Sequence, residues 1–350
     1  MKSAFTMSVV AGAFAGSLNA GAPTNVTYDE PTFDRWMYPF NGTPGTRAFM
    51  PTFGALGFGG AFDERDGQVL LGFDTSEDIM SGLQKNRYRI ISATVTCTIG
   101  QGNTHSFDPT LDDWQTFITQ PDTDTGRPVI LTGTGFRNDF TAATFGETGP
   151  YGGGTAGTRN AYAASFDDNG DLIDVSNNVT DGFNPLPFAM GMAESDLGVP
   201  LAAGDSVPLN AKYVFDVDVS NLDIECYLRE GLEDGIISLS ITSLTDATNP
   251  TLNDPTTLQG VTYPQWRSKE DPEVVFGLAD AATLNLTVEV IDEVDFRPAD
   301  VLPNGTVNID DLLAVINAFG EACNCCPEDV NASGVINIDD LLDVINDFDT

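Results

Sequence analysis

Ala211-Lys212-Tyr213-Val214-Phe215-Asp216-Val217-Asp218-Val219 alternates apolar with polar residues over most of its length. A period of two sends successive side chains to opposite faces of an extended chain, so the segment reads as a strand with one face buried and one in water. The same alternation runs through residues 69–73, 89–97, 236–241 and 282–290. Turn-forming clusters such as Gly149-Pro150-Tyr151-Gly152-Gly153-Gly154 separate these runs. Two helical stretches are expected among them, a short one over 76–85 and a longer one over 220–232, with Ser220 as N-cap and Gly235 beyond the end. The pattern predicts a mainly β chain. Two antiparallel sheets packed face to face, a jelly-roll-like β-sandwich, are its economical arrangement.

Composition narrows the setting. The 350 residues are 41% hydrophobic, enough for a substantial core, and 35 glycines with only four lysines suit an extracellular β-rich protein. A net charge of −37 excludes nucleic acid as a partner, because phosphate neutralisation needs clustered Lys and Arg, and it favours solubility and cation binding. Lys2, the apolar run from Ala4 to Ala15 and then Gly16-Ser17-Leu18-Asn19-Ala20 have the three regions of a secretory signal peptide, with cleavage expected after Ala20. No later segment reaches the ~20 apolar residues of a membrane span, so a secreted or surface location without a transmembrane segment is expected. For the five cysteines, an oxidising compartment predicts a local bridge from Cys323 to Cys326 or Cys325. Cys97 to Cys226 is offered as a second bridge, which leaves one thiol over. Zinc is the rival for the Cys323-Asn324-Cys325-Cys326 cluster, but sulfurs this close wrap a tetrahedral ion poorly.

The C-terminal residues repeat themselves. Positions 300–319 and 329–348 are identical at thirteen of twenty places, and oxygen-bearing residues recur at loop positions 1, 5, 9 and 12 with glycine, Gly305 and Gly334, at position 6. A hard divalent cation with six to eight oxygen ligands needs this spacing, with glycine where the loop reverses. The candidate Ca2+ ligands of the second loop are Asp329, Asn331, Ser333, the carbonyl of Val335, Asn337 and Asp340. Those of the first are Asp300, Asn304, the carbonyl of Thr306, Asn308 and Asp311; Leu302 has no oxygen for position 3, so the second loop is expected to bind more tightly. Each loop leads into apolar residues at helical spacing, and neither has an incoming amphipathic helix.

Loop plus outgoing helix, used twice, resembles the type I dockerin module. The resemblance implies a small all-α calcium-binding domain over 297–350, following a signal peptide at 1–20 and a β-sandwich domain at 21–296. It also implies a cohesin-like protein partner met through loop positions 10 and 11, here Ile309-Asp310 and Ile338-Asp339. With Cys325-Cys326-Pro327 ahead of the second loop, the repeat is similar to those of secreted planctomycete-type bacterial proteins. In the body, Leu70-Leu71-Gly72-Phe73-Asp74, then Arg89-Ile90-Ile91-Ser92-Ala93-Thr94-Val95, then Val217-Asp218-Val219-Ser220 opening a helix, and Ser268-Lys269-Glu270 before the last strand resemble a DNRLRE-type, disaggregatase-related β-sandwich. Some members of that family bind polysaccharides, including acidic ones, and accompany enzymes of polysaccharide catabolism.

Signals for catalysis are sparse. The single histidine, His105, sits in a polar loop and reads as a bystander, so neither a Ser-His-Asp triad nor a histidine metal centre is expected. Glycoside hydrolysis needs only two carboxyls at a set separation, which 52 acidic residues neither nominate nor exclude. Sugar binding needs flat aromatic faces; Trp36, Tyr38, Trp114 and Trp266 are candidates, with core packing the commoner role. Lys85-Asn86-Arg87-Tyr88-Arg89 would suit a polyuronate, or else pairs with local Asp and Glu. Asp167-Asp168-Asn169-Gly170-Asp171 reads as a hairpin turn rather than a further calcium loop. The expectation is a secreted, non-catalytic calcium-binding protein linked to polysaccharide binding or catabolism. The alternatives are a glycan-degrading hydrolase with its active site between 98 and 210, and a purely structural surface or matrix protein.

Overall fold

A computed structural model describes residues 22–348 apart from 40, 42–44, 55–62, 118–122, 154–157, 168–169, 247–261, 293–295, 303–304, 322 and 324. The expected signal peptide and Asn304 lie outside the described residues.

The chain is mainly β. In order, its strands are β1 (Thr24–Tyr28), β2 (Phe33–Met37), β3 (Phe49–Pro51), β4 (Gln68–Asp74), β5 (Tyr88–Thr98), β6 (Val129–Phe136), β7 (Ala161–Phe166), β8 (Leu172–Asp174), β9 (Ala189–Glu194), β10 (Lys212–Asp216), β11 (Ile236–Ser243), β12 (Gln265–Arg267) and β13 (Thr283–Val290). Eleven of them form one antiparallel sheet in the order β1-β13-β5-β10-β9-β6-β11-β4-β2, with β7 added to β6 and β8 to β7. β3 and β12 make a separate two-stranded ribbon. Only two residue pairs, Ile130↔Met190 and Leu131↔Ala189, join β6 to β9. Val95, Tyr213 and Leu284 from one half of the sheet and Leu71, Leu131 and Leu239 from the other bury in a single cluster, so the sheet curls back on its own core. This is the sandwich-like closure that period-two alternation predicts. The stretch 98–210 is integral to it, supplying β6 to β9.

Six helices accompany the strands among the described residues: α1 (Ala142–Phe145), α2 (Asn178–Asp181), α3 (Leu222–Asp234), α4 (Pro272–Val275), α5 (Ile309–Asn317) and α6 (Ile338–Asn346). α3 is the expected longer helix, but its cap is Asn221, whose side chain accepts from the Asp223 and Ile224 amides. Ser220 instead donates its hydroxyl to Asp218. Ile224, Leu228 and Leu232 carry the helix into the core. The helix expected over 76–85 is absent. Asp74 Oδ1 accepts from the Ser76 amide, Gly82 takes φ +74°, and the Tyr88 hydroxyl donates to the Met80 carbonyl, so the segment turns repeatedly until a 3-10 turn at Lys85–Arg87.

Two disulfides are formed, Cys323–Cys326 and Cys226–Cys325. The first is the expected local bridge. The second corrects the pairing of Cys226 with Cys97: Cys97 is buried inside the sandwich on β5, whereas Cys226 on α3 meets the segment between the two C-terminal loops. No helix among the described residues is long and apolar enough to cross a membrane.

Candidate metal centre

The two C-terminal loops share three closing hydrogen bonds, from the amides of positions 3, 6 and 9 to the acids at positions 1 and 12. In the second, Asp329 Oδ1 accepts from the Ser333 amide at 2.9 Å and Oδ2 from the Gly334 amide at 2.7 Å. Asp340 Oδ1 accepts from the Asn331 amide at 3.2 Å and Oδ2 from the Asn337 amide at 2.8 Å. In the first, Asp300 Oδ2 takes the Gly305 amide, and Asp311 takes those of Leu302 and Asn308, all at 2.8 Å. The first and last acids of each loop therefore curl the chain around themselves. Gly305 and Gly334 sit at φ +87° and +86°, a region that L side chains enter only at a cost. Asp311 and Asp340 are fully buried, and Asp329 is nearly so. Asn331, Ser333, Thr306 and Val335 lie exposed, with Asn308 and Asn337 half-buried.

Each loop then starts its helix by a capping box. Asn308 accepts from the Asp310 amide and Asn337 from the Asp339 amide, while Asp311 and Asp340 reach back to the cap's own amide. The carboxylate at position 12 thus fixes loop and helix together. Val301, Val307, Val315, Val330, Ile336 and Val344 make a small core of their own beneath the loops. Backbone bonds from Gly320 to the Ile336 carbonyl and from Ile336 to that of Glu321 tie the end of α5 to the second loop.

The donor set fits calcium. Every candidate ligand offers oxygen, and a carboxylate oxygen bonded to one amide keeps a second lone pair for a cation. Leu302 uses its amide to bond Asp311 and brings no side-chain oxygen to position 3, where the second loop has Asn331. The proposed partner residues Ile309, Asp310, Ile338 and Asp339 are all exposed. Ile309 and Ile338 begin matching stripes, Leu313, Ile316 and Phe319 in one copy and Leu342, Ile345 and Phe348 in the other, each at least one-third exposed.

The remaining candidates sort clearly. Trp266 is fully buried, its Nε1 donating to Thr52 Oγ1, and Trp36 is buried with Tyr38 stacked on it at 4.5 Å, so neither is an open sugar platform. Trp114 is half-buried on a 3-10 turn. Beside it, a cleft of ≈ 290 Å³ is lined by Arg65, Asp113, Phe117, Asn178 and Asn184 among others, a group that composition alone did not bring together. In the basic cluster Lys85 pairs with Glu230, Arg89 with Glu289, and Arg87 bonds the Ile291 carbonyl. His105 lies between the hydroxyls of Tyr213 and Thr104, and loss of solvation pushes it down to about 3, which keeps it neutral. Asp167 and Asp171 close the β7–β8 hairpin, as expected; residues 168 and 169 lie outside the described set. A scan against protein-family models and a search of curated proteins both find no match for this chain.

Proposed function

We propose that this chain is a secreted calcium-dependent attachment protein. Its C-terminal repeat takes up Ca2+ in two dockerin-like loops and presents the two apolar stripes to a cohesin-like partner. The observation that carries this reading is the closure shared by both loops, in which the acids at positions 1 and 12 gather the amides of positions 3, 6 and 9 and leave the helices' apolar stripes outward. The sandwich is non-catalytic in this reading and serves polysaccharide binding, for which the cleft offers the Phe117 ring among the amides of Asn178 and Asn184 and the carboxylates of Asp112 and Asp113.

Calorimetric titration of calcium into the metal-stripped full chain, with helicity followed in parallel, tests the proposal. The full chain is the right material because Cys226 of the sandwich is bonded to Cys325 of the repeat. Calcium should order α5 and α6, and Asp329→Ala or Asp340→Ala should remove the larger share of the response. Absence of a helicity change at millimolar calcium overturns it.

A further inference from the structure

Outside the repeat, three acidic side chains from distant parts of the chain converge on the sandwich. Asp34 lies on β2, Glu147 just after α1, and Glu270 between β12 and α4, and each brings one carboxylate oxygen to within 4.8 Å of the others. Asp34 is 1% exposed. One oxygen of each of two acids is anchored: Asp34 Oδ2 accepts from the Lys269 amide at 2.8 Å, and Glu147 Oε1 accepts from the Asp34 amide at 3.0 Å and from Lys269 Nζ. Glu270 Oε1 stands 3.9 Å from the same ammonium. The other oxygen of each acid, Asp34 Oδ1, Glu147 Oε2 and Glu270 Oε2, is shut off from solvent and has no hydrogen-bond partner. Three buried acceptors without a donor, on acids that converge this closely, are costly unless something positive lies near them.

We propose that Asp34, Glu147 and Glu270 hold a calcium ion, at a site on the sandwich separate from the C-terminal loops. Three carboxylates outnumber the cationic groups beside them, the Lys269 ammonium and the Arg35 guanidinium, and a bound cation offsets the excess negative charge. Arg35 donates to the carbonyls of Gly146 and Gly149, so its guanidinium contributes charge near Glu147 but no hydrogen bond to the three acids. Opposed ligands at ordinary Ca–O distances of roughly 2.3–2.6 Å lie up to ~5 Å apart, which suits the span of these oxygens. The backbone is shaped to the site: Gly45, at φ +68°, packs so closely that a Cβ there would overlap Glu147 Oε2. The side chains of Glu147 and Glu270 are each 25% exposed and that of Lys269 19%, which gives an ion a way in and leaves its outer positions to water. The ion would staple the edge strand β2 to two loops far away in sequence.

The experiment uses the full chain with both C-terminal loops disabled by Asp300→Ala, Asp311→Ala, Asp329→Ala and Asp340→Ala. The loop reading is thus removed beforehand, and its own failure would show only in chains with intact loops. Equilibrium dialysis at pH 7.5 should find one calcium bound per chain and a calcium-dependent rise in the melting temperature of the sandwich. Adding Glu270→Gln should weaken that binding roughly 10-fold or more and abolish the rise; Glu147→Gln serves as the second variant, with near-ultraviolet dichroism confirming the fold. Two results overturn the proposal. One is no calcium bound by the folded loop-disabled chain, which would mean that the acids share a proton instead. The other is binding that Glu270→Gln and Glu147→Gln leave unchanged.

Discussion

The sandwich and the C-terminal repeat are held together by different physics. The sandwich buries one continuous cluster drawn from both halves of its sheet, including Trp266, Phe73, Tyr213 and Phe215. The repeat has a core of mostly valines, turns three apolar side chains of each helix outward, and contains one disulfide and one end of the other. A segment this short buries too little to fold on apolar area alone and needs cross-links or metal. Burial therefore supports the larger region, and cross-links with charge closure support the smaller.

Truncation of Trp266 to Ala gives the largest expected effect. The indole is fully buried, packs edge-on to Tyr213 at 5.1 Å and bonds Thr52, so its loss should cost about 3–5 kcal/mol of sandwich stability. Thermal denaturation should show the main transition falling while the calcium response of α5 and α6 stays. A parallel loss of both would mean that the repeat has no stability of its own. Removing the tether by Cys226→Ser with Cys325→Ser is next, at about 2–4 kcal/mol. Hydrogen exchange should show α5 and α6 losing protection while β5, β11 and β13 keep theirs; uniform loss would erase the distinction between the regions.

A smaller effect separates them by pH. Burial pushes the Asp66 carboxyl up to about 7, with Arg159 at 3.2 Å opposing the rise and Asp63 adding to it. The folded chain then keeps a proton that the unfolded chain releases near ~3.9, so stability falls as pH rises through that interval, and the deficit is complete above it. Asp66→Asn should flatten this slope and stabilise the sandwich by about 1–3 kcal/mol at pH 8. Urea melts of variant and parent at pH 4.5 and 8, in excess calcium, check it. Equal melts at both pH values would place the proton elsewhere.

The two regions were also unequally legible in the sequence. The loops were readable because their ligands are contiguous and their glycines mark the reversals. The alternating strands were readable for a similar reason, since each face is written along one segment. β2 was not, because all five of its residues, Asp34 and Arg35 included, are buried and no alternation remains. β6 is buried along nearly all its length, which also hides a period of two. The helix expected over 76–85 failed because Asp74 and Tyr88, at either end of the segment, capture its backbone groups first. The acidic cluster of Asp34, Glu147 and Glu270 was invisible for the plainest reason: Asp34 and Glu147 meet across 113 residues, and only the topology of the sheet joins them.

Within the repeat, the sharpest contrast between the two loops is the side chain at position 3. Both loops bind their position-12 acid through the amides of positions 3 and 9, so this part of the frame is shared, and Asn331 offers a side-chain oxygen where Leu302 offers none. Leu302 is also half exposed, so replacing it disturbs no core. Leu302→Asn should therefore raise the calcium affinity of the first loop about tenfold, worth roughly 1.4 kcal/mol, and bring it level with the second. The measurement is a calcium titration in a chain carrying Asp340→Ala, where the first loop reports alone within the repeat. Unchanged affinity would mean that the loops differ through their surroundings. The half-buried Asp300 against the buried Asp329 would then be the next place to look.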